Sequence, residues 1–317
     1  MSNLHATKEN SLSTEHIMAS LEALLVTILW SSSYVIIKIG LEELPPLLFS
    51  GLRYSIASVV LLGFVLSQGE YRGQIAGRKR KWWMIIAIYG VIFVSVTQGA
   101  HFVALSLLPA ITESMLLNLT PVVVLFMGIL FLNETPTKGQ LLLIVVGLVG
   151  VLIYFYPMNL PIVQALGLLI AVAELIANAL SSLLGRKINR NSAVHPVVIT
   201  TLSMAIGSGV LLLSGLTLEG VVPISPVSII YVLWLAVVNT ALAFTLWNRA
   251  MRVLRAVDIS LINSTMLPQI VILSVVFLGE MPRVLDWVGL AMLGLSITLI
   301  QISQAKRKAT IQSSLKE

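Results

Sequence analysis

The chain has 317 residues, of which 57% are hydrophobic and 11% charged, with a formal net charge of +6 and a mean hydropathy of +0.96. A water-soluble globule carries about 25% charged residues, so that class is excluded and a lipid bilayer is the implied solvent. There is no cysteine, which excludes disulfides and thiolate metal centres.

Residues 1–18 are polar and lack a basic segment leading into a short apolar core. They predict a cytoplasmic N-terminal tail and a first helix that is retained, not cleaved as a leader. A spanning helix needs about 20 apolar residues, and ten such runs follow. They lie at about 19–38, 46–67, 82–107, 110–133, 139–157, 161–185, 194–215, 227–252, 256–279 and 283–303. The stretch 304–317 predicts a second cytoplasmic tail. No connecting loop is long enough to fold alone, and the longest, Gln68 to Lys81, is basic and polar.

With the N-terminus placed in the cytoplasm, the inward loops hold 17 of the 20 Lys and Arg residues. Only Lys38, Arg53 and Arg283 fall on or near the opposite side. This bias orients a ten-span chain with both ends inside. The basic excess is therefore a topology signal, and nucleic acid is not expected as a partner. Arg78 to Lys81 are expected to touch anionic lipid.

A repeat organises the chain. The stretch AITESMLLNLTPVVVLFMGILFLNETP, from Ala110 to Pro136, returns 146 positions on as AVDISLINSTMLPQIVILSVVFLGEMP, from Ala256 to Pro282. Each copy carries a proline near its middle, Pro121 and Pro268. Ten spans in two halves give five each, and an odd number forces the second half to enter the membrane upside down. The expected fold is therefore all-α, an integral membrane protein of ten transmembrane helices in two inverted five-helix repeats, 19–157 and 161–303.

These residues resemble a known family. Trp30-Ser-Ser-Ser-Tyr-Val-Ile-Ile-Lys38, Pro45-Pro46, Leu52-Arg53, Leu108-Pro109-Ala110, the Pro121-to-Glu134 stretch, Leu246-Trp247-Asn248-Arg249-Ala250 and the Pro268-to-Glu280 stretch look like EamA-type ten-helix permeases of the drug/metabolite transporter superfamily. The resemblance implies an inner-membrane permease, often an exporter of amino acids, related metabolites or drugs. The chain departs from that pattern at Glu113 and Glu174, where small or apolar residues are usual, and lacks a tryptophan near Ala177.

Several residues could carry transport chemistry. Pro121 leaves the carbonyl of Leu117 without its helical donor, and Pro268 does the same to Ser264. The kinks are either hinges lining a pathway or static bends whose carbonyls a neighbouring Ser or Thr satisfies. Glu174 lies mid-span in LGLLIAVAELIANALSSLLG. An ionised carboxylate at the bilayer centre costs about 3 kcal/mol on insertion scales, so it must face the bundle interior, with Asn178, Ser181 and Ser182 on its face. It either lines the cavity, binding a cationic or amino group or carrying a proton, or makes a structural interhelical bond.

His101, with Thr97 and Gln98, forms a second stripe whose ordinary reading is an interhelical hydrogen bond. Glu113, one turn inside the outer end of the fourth span, reads as reaching headgroups, and Asn118, a turn deeper, as facing inward. Trp30, Tyr34 and Lys38 share a face of the first span. Trp247 lines up with Phe244 and Thr240, and Asn263 with Ser260. These faces could frame a small-molecule pocket, or simply pack. Glu134 and Glu280 read as joint residues whose carboxylates meet the free N–H groups of the next helix.

No G-x-S-x-G, H-E-x-x-H, Walker A or dinucleotide motif occurs, so no cofactor is expected and an ion or solute gradient must drive movement. The expected function is secondary transport of a small organic solute, with a coupling proton or cation as partner. Two alternatives stand beside it. One is a membrane-embedded enzyme, which would require a catalytic pair among Glu174, Glu113 and His101; the other is a receptor that binds without flux.

Overall fold

The computed structural model describes residues 2–132, 136–157, 161–191 and 193–314, and every regular element among them is helical. Ten segments build the bundle. They are α1 (Ser2–Gly40), α2 (Pro46–Ser67), α3 (Arg80–Leu107), α4 (Ala110–Leu117 then Thr120–Leu132) and α5 (Lys138–Tyr154). The second five are α6 (Ile162–Asn191), α7 (Pro196–Leu218), α8 (Pro226–Val253), α9 (Ala256–Ser264 then Met266–Leu278) and α10 (Val284–Ser314). Among the described residues nine helices are long and apolar enough to cross a membrane, and α5, at 17 residues, is the shorter tenth. Outward-facing Leu142, Leu169, Ile230 and Leu295 are more than 60% exposed, the surface a chain presents to lipid rather than water.

Local chemistry sets the helix ends. Proline opens α2, α7 and α8, where its missing N–H is no loss. A Thr137–Gln140 capping box opens α5. Gly279, at φ 66°, ends α9 in the left-handed conformation that glycine tolerates. The polar stretches expected as tails are helical from Ser2 and as far as Ser314, with no glycine or proline to interrupt either one.

The two halves run in opposite directions. Tyr154 closes α5, and its carbonyl accepts from Arg283 at the start of α10 (3.1 Å). At the other end Gln140, which opens α5, donates to Ser303 late in α10 (3.3 Å). Helices in the same place of each half are therefore antiparallel. Helix α2 likewise lies along α7, its first amides held by Glu219 just beyond the end of α7. Pairings repeat between halves: α3 packs on α6 as α8 packs on α1, and α4 on α6 as α9 on α1.

Close backbone approach locks α5 to α10. A Cβ added at Gly150 would lie 2.8 Å from the carbonyl oxygen of Gly289, and one at Gly289 would lie 2.5 Å from that of Gly150. Small residues let two backbones touch in this way.

Two features were not anticipated from the sequence. Helices α3 and α8 each contain a π-helical turn, Val91–Val96 and Val237–Leu242, at the same offset as the repeat. In each, a threonine hydroxyl takes a carbonyl five residues back: Thr97 donates to Ile92 and Thr240 to Leu235, both at 2.8 Å. The second feature corrects the expected role of Glu280. Its oxygens accept the amides of Ala110 (2.6 Å) and Ile111 (2.9 Å) at the start of α4, not those of the helix that follows it. Glu134 lies outside the described residues.

Candidate functional site

Three titratable side chains meet between α3, α4 and α6. Nδ1 of His101 lies 2.7 Å from Oε1 of Glu113 and 3.1 Å from Oε1 of Glu174. Glu113 is 0% exposed, Glu174 1% and His101 7%. The second oxygen of each carboxylate is buried and has no hydrogen-bond partner among the described residues. Expecting Glu113 to reach the headgroups was thus mistaken. Its position one helical turn from the start of α4 suggested the surface, but the packing of α6 and α3 around it encloses the side chain.

The charge arithmetic of this cluster is informative. One imidazolium between two carboxylates sums to −1, and a net charge in a low-dielectric interior is costly. One further positive charge, a proton or a cationic group, brings the cluster to neutrality. One nitrogen and two oxygens within 4.8 Å of one another could also ligate a metal, but the 2.7 and 3.1 Å separations are hydrogen-bond distances.

Other residues named from the sequence surround the cluster unevenly. Tyr34 is buried with its ring edge-on to His101, centroids 5.1 Å apart. Gln98 accepts from the Tyr54 hydroxyl at 2.6 Å. Asn178 donates to Thr120 at 3.1 Å, joining α6 to α4. Trp30 packs against Phe244 (5.6 Å) and Trp247 (5.1 Å), forming a separate aromatic contact between α1 and α8. Asn118 donates to the Ser114 carbonyl (2.8 Å) within its own helix. Asn263 is half-buried in the first half of α9, and nothing among the described residues joins it to the cluster. Ser182 is exposed and back-bonds to Asn178, so the inward stripe expected beyond Glu174 stops short of it. Lys38 donates to the Leu105 carbonyl at 2.7 Å, tying α1 to the end of α3.

Both interrupted helices break just before their prolines. Residues Asn118 and Leu119 separate the halves of α4, and Thr265 those of α9. The Leu117 carbonyl that Pro121 deprives of a donor is taken by the Thr120 hydroxyl at 2.6 Å. Beside the α9 break, Gln269 reaches Ser31 (3.0 Å), Thr27 (3.3 Å) and Thr265 (2.9 Å). That polar link to α1 was not foreseen, nor was the buried Asn239, which bonds Ser33 at 2.9 Å and the Leu29 carbonyl. Both are amides within apolar runs, which is the signal that could have found them. A cavity of about 210 Å³ lies near the start of α4, lined by Thr112, Tyr154, Gln164, Arg283 and Asp286 among others. None of the site residues named from the sequence lines it.

Comparison with known proteins fits this architecture. The EamA-like transporter family model matches residues 17–156 and again 165–302. A "Probable amino-acid metabolite efflux pump" of Salmonella typhimurium is 27% identical over 241 residues, which cover 71% of this chain and 75% of that protein. The protein of the same description from Escherichia coli is 25% identical over 235 residues, again 71% and 75%. A crystal structure of a protein superimposes with a TM-score of 0.63 at 17% identity, over 92% of this chain and 98% of that one, which shows a shared fold. Two matched copies spanning most of the chain, laid out as opposed halves of one helical bundle, make this protein a member of the EamA-like transporter family, a multi-pass membrane transporter and not an enzyme.

Proposed function

We propose that this transporter exports small amino-group-bearing solutes, amino acids or close relatives, in exchange for a proton at the His101–Glu113–Glu174 cluster. The observation that carries the reading is the pair of fully buried carboxylates on one imidazole, each with an unpartnered oxygen. Such a cluster calls for one added positive charge, and a proton and an ammonium group compete for the same place. Exchange of one for the other lets the cluster remain neutral at every stage. The names of the Salmonella and Escherichia relatives support amino-acid metabolites as the solute class and efflux as the direction.

Alternating access follows from the inverted halves rocking about the breaks at Pro121 and Pro268. The Lys and Arg bias supports a cytoplasmic location for both termini and the Gln68–Lys81 loop. The test is counterflow in proteoliposomes with mixed amino acids, with and without a pH gradient. Wild-type protein drives uptake with the gradient. Glu174→Gln abolishes gradient-driven uptake while solute exchange persists; unchanged gradient dependence removes the proton from this site.

A further inference from the structure

Arg53 carries a charge into the core of α2 and has no ionic partner among the described residues. It is 4% exposed, two helical turns beyond Pro46. Its Nε donates to the Thr240 hydroxyl at 3.0 Å, and that hydroxyl spends its own proton on the Leu235 carbonyl freed by the π turn of α8. The guanidinium carbon lies 5.1 Å from the Tyr54 ring and 5.9 Å from the Phe102 ring. The two terminal nitrogens hold four of the five guanidinium N–H groups and meet no protein acceptor among the described residues.

A buried charge needs a counter-charge, and the acids that cap helix starts or meet His101 are committed elsewhere. Glu219 holds the amides of Leu47 and Leu48, Glu280 those of Ala110 and Ile111, and Glu43 the hydroxyls of Ser225 and Ser228. Glu113 and Glu174 both point at His101. The guanidinium fork matches a carboxylate in geometry and charge. The Tyr54 and Phe102 rings give it an apolar frame of the sort small-molecule sites use.

We infer that Arg53 is the carboxylate anchor of the transport site, so that the solute is a zwitterion held at both ends. This rests on the reading of the His101 cluster as the amino-group site. The guanidinium lies 5.9 Å from the Phe102 ring and that ring 6.0 Å from the His101 ring, so the two poles are at most about 12 Å apart. A carboxylate and an ammonium with a charge-assisted hydrogen bond of about 2.8 Å at each end bridge such a gap. A dianionic phosphate would suit Arg53 but would be repelled by the two glutamates. An amine alone would leave the guanidinium bare.

The experiment compares leucine and phenylalanine with their decarboxylated amines (isoamylamine, phenethylamine) and their deaminated acids (4-methylpentanoate, 3-phenylpropanoate). Thermal shift in detergent and counterflow are read for wild type, Arg53→Lys and Arg53→Gln. The amino acids should outcompete their amines by tenfold or more in wild type, and the acids alone should raise the melting temperature. Arg53→Gln should erase the response to the acids and bring amino acid and amine within threefold, while amine flux continues; Arg53→Lys should restore part of the preference. Because the chain has no cysteine, Arg53→Cys also provides a single thiol. Its modification by a membrane-impermeant sulfonated thiosulfonate reports whether position 53 faces water.

No labelling, no stabilisation by any acid, or an equal fall in amine and amino acid flux in Arg53→Gln would make Arg53 a packing residue and overturn the assignment. Failure of the transport reading looks different: folded wild-type protein would move none of the solutes, while the acids still shift its melting temperature through Arg53.

Discussion

Glu280 ends α9 in the second half of the chain and closes the start of α4 in the first half, taking the Ala110 amide at 2.6 Å. Helix starts leave four amides without partners, and in lipid those cannot turn to water. Truncation to Glu280→Ala should cost about 1–2 kcal/mol, the range for losing an N-terminal cap, and lower the melting temperature in detergent. Glu280→Gln, which keeps one acceptor oxygen, should lose less. Equal melting temperatures for wild type and the alanine variant would show the contact to be idle.

The two carboxylates on His101 should behave as one unit. Glu113→Gln is expected to abolish pH-gradient-driven uptake as fully as Glu174→Gln, because either change removes the surplus negative charge. The double variant leaves no carboxylate on the imidazole, so it should lose solute binding as well, and its effect should be far from additive. Equilibrium binding and gradient-driven flux on the three variants provide the check. A gradient response retained in Glu113→Gln would confine the coupling to Glu174.

The reach of sequence reasoning is clearest at this cluster. Glu174 and His101 each stood out, since polar groups inside apolar runs are expensive. That they meet was not legible, because positions 101, 113 and 174 lie on three helices whose packing the sequence does not state. The Lys and Arg count sets Arg53 on or near the outer membrane face, although it lies two turns inside α2. The ten helices and the duplication could be read because hydrophobic run length and the Ala110/Ala256 stretches are properties of the chain itself. The π turns at Val91 and Val237 carried no such mark, being ordinary apolar segments that contain no proline or glycine.

Acid should weaken the start of α7. His195 caps that helix, its Nδ1 accepting the Val197 amide at 3.2 Å, a role only the neutral ring can fill. Burial, and then the positive charge of Arg252 beside it, hold the imidazole below its ordinary value of 6.5, against a smaller pull from Glu70. The folded state therefore binds the proton less readily than the unfolded chain. This contribution is complete above pH 6.5 and is lost as pH falls through the lower folded value. Melting temperature followed from pH 7.5 to 5 should drop more steeply for wild type than for His195→Asn, whose amide oxygen caps without titrating. Parallel curves would contradict the assignment.

The Gly150–Gly289 contact admits no added carbon. Gly289→Ala would set its Cβ 2.5 Å from the Gly150 carbonyl oxygen and 2.9 Å from the Tyr154 backbone, neither of which can swing aside. The helices would have to part, at about 1–3 kcal/mol. Thermal unfolding in detergent should register the loss. Gly209→Ala, where a Cβ meets nothing within 4 Å, is the control and should leave stability unchanged.

The caps exchanged between halves bear on how the protein is made. Glu219 and Glu280 sit late in translation order, yet they complete α2 and α4, which leave the ribosome much earlier. Until those later residues arrive, the early helices reside in the bilayer with bare amide ends. The opposite debt is settled in advance, since Gln74 is already waiting to receive the His195 amide at the mouth of α7. The first five helices therefore reach their final capped state only when the last five dock. A messenger cut between the repeats would yield fragments that mature together and not apart.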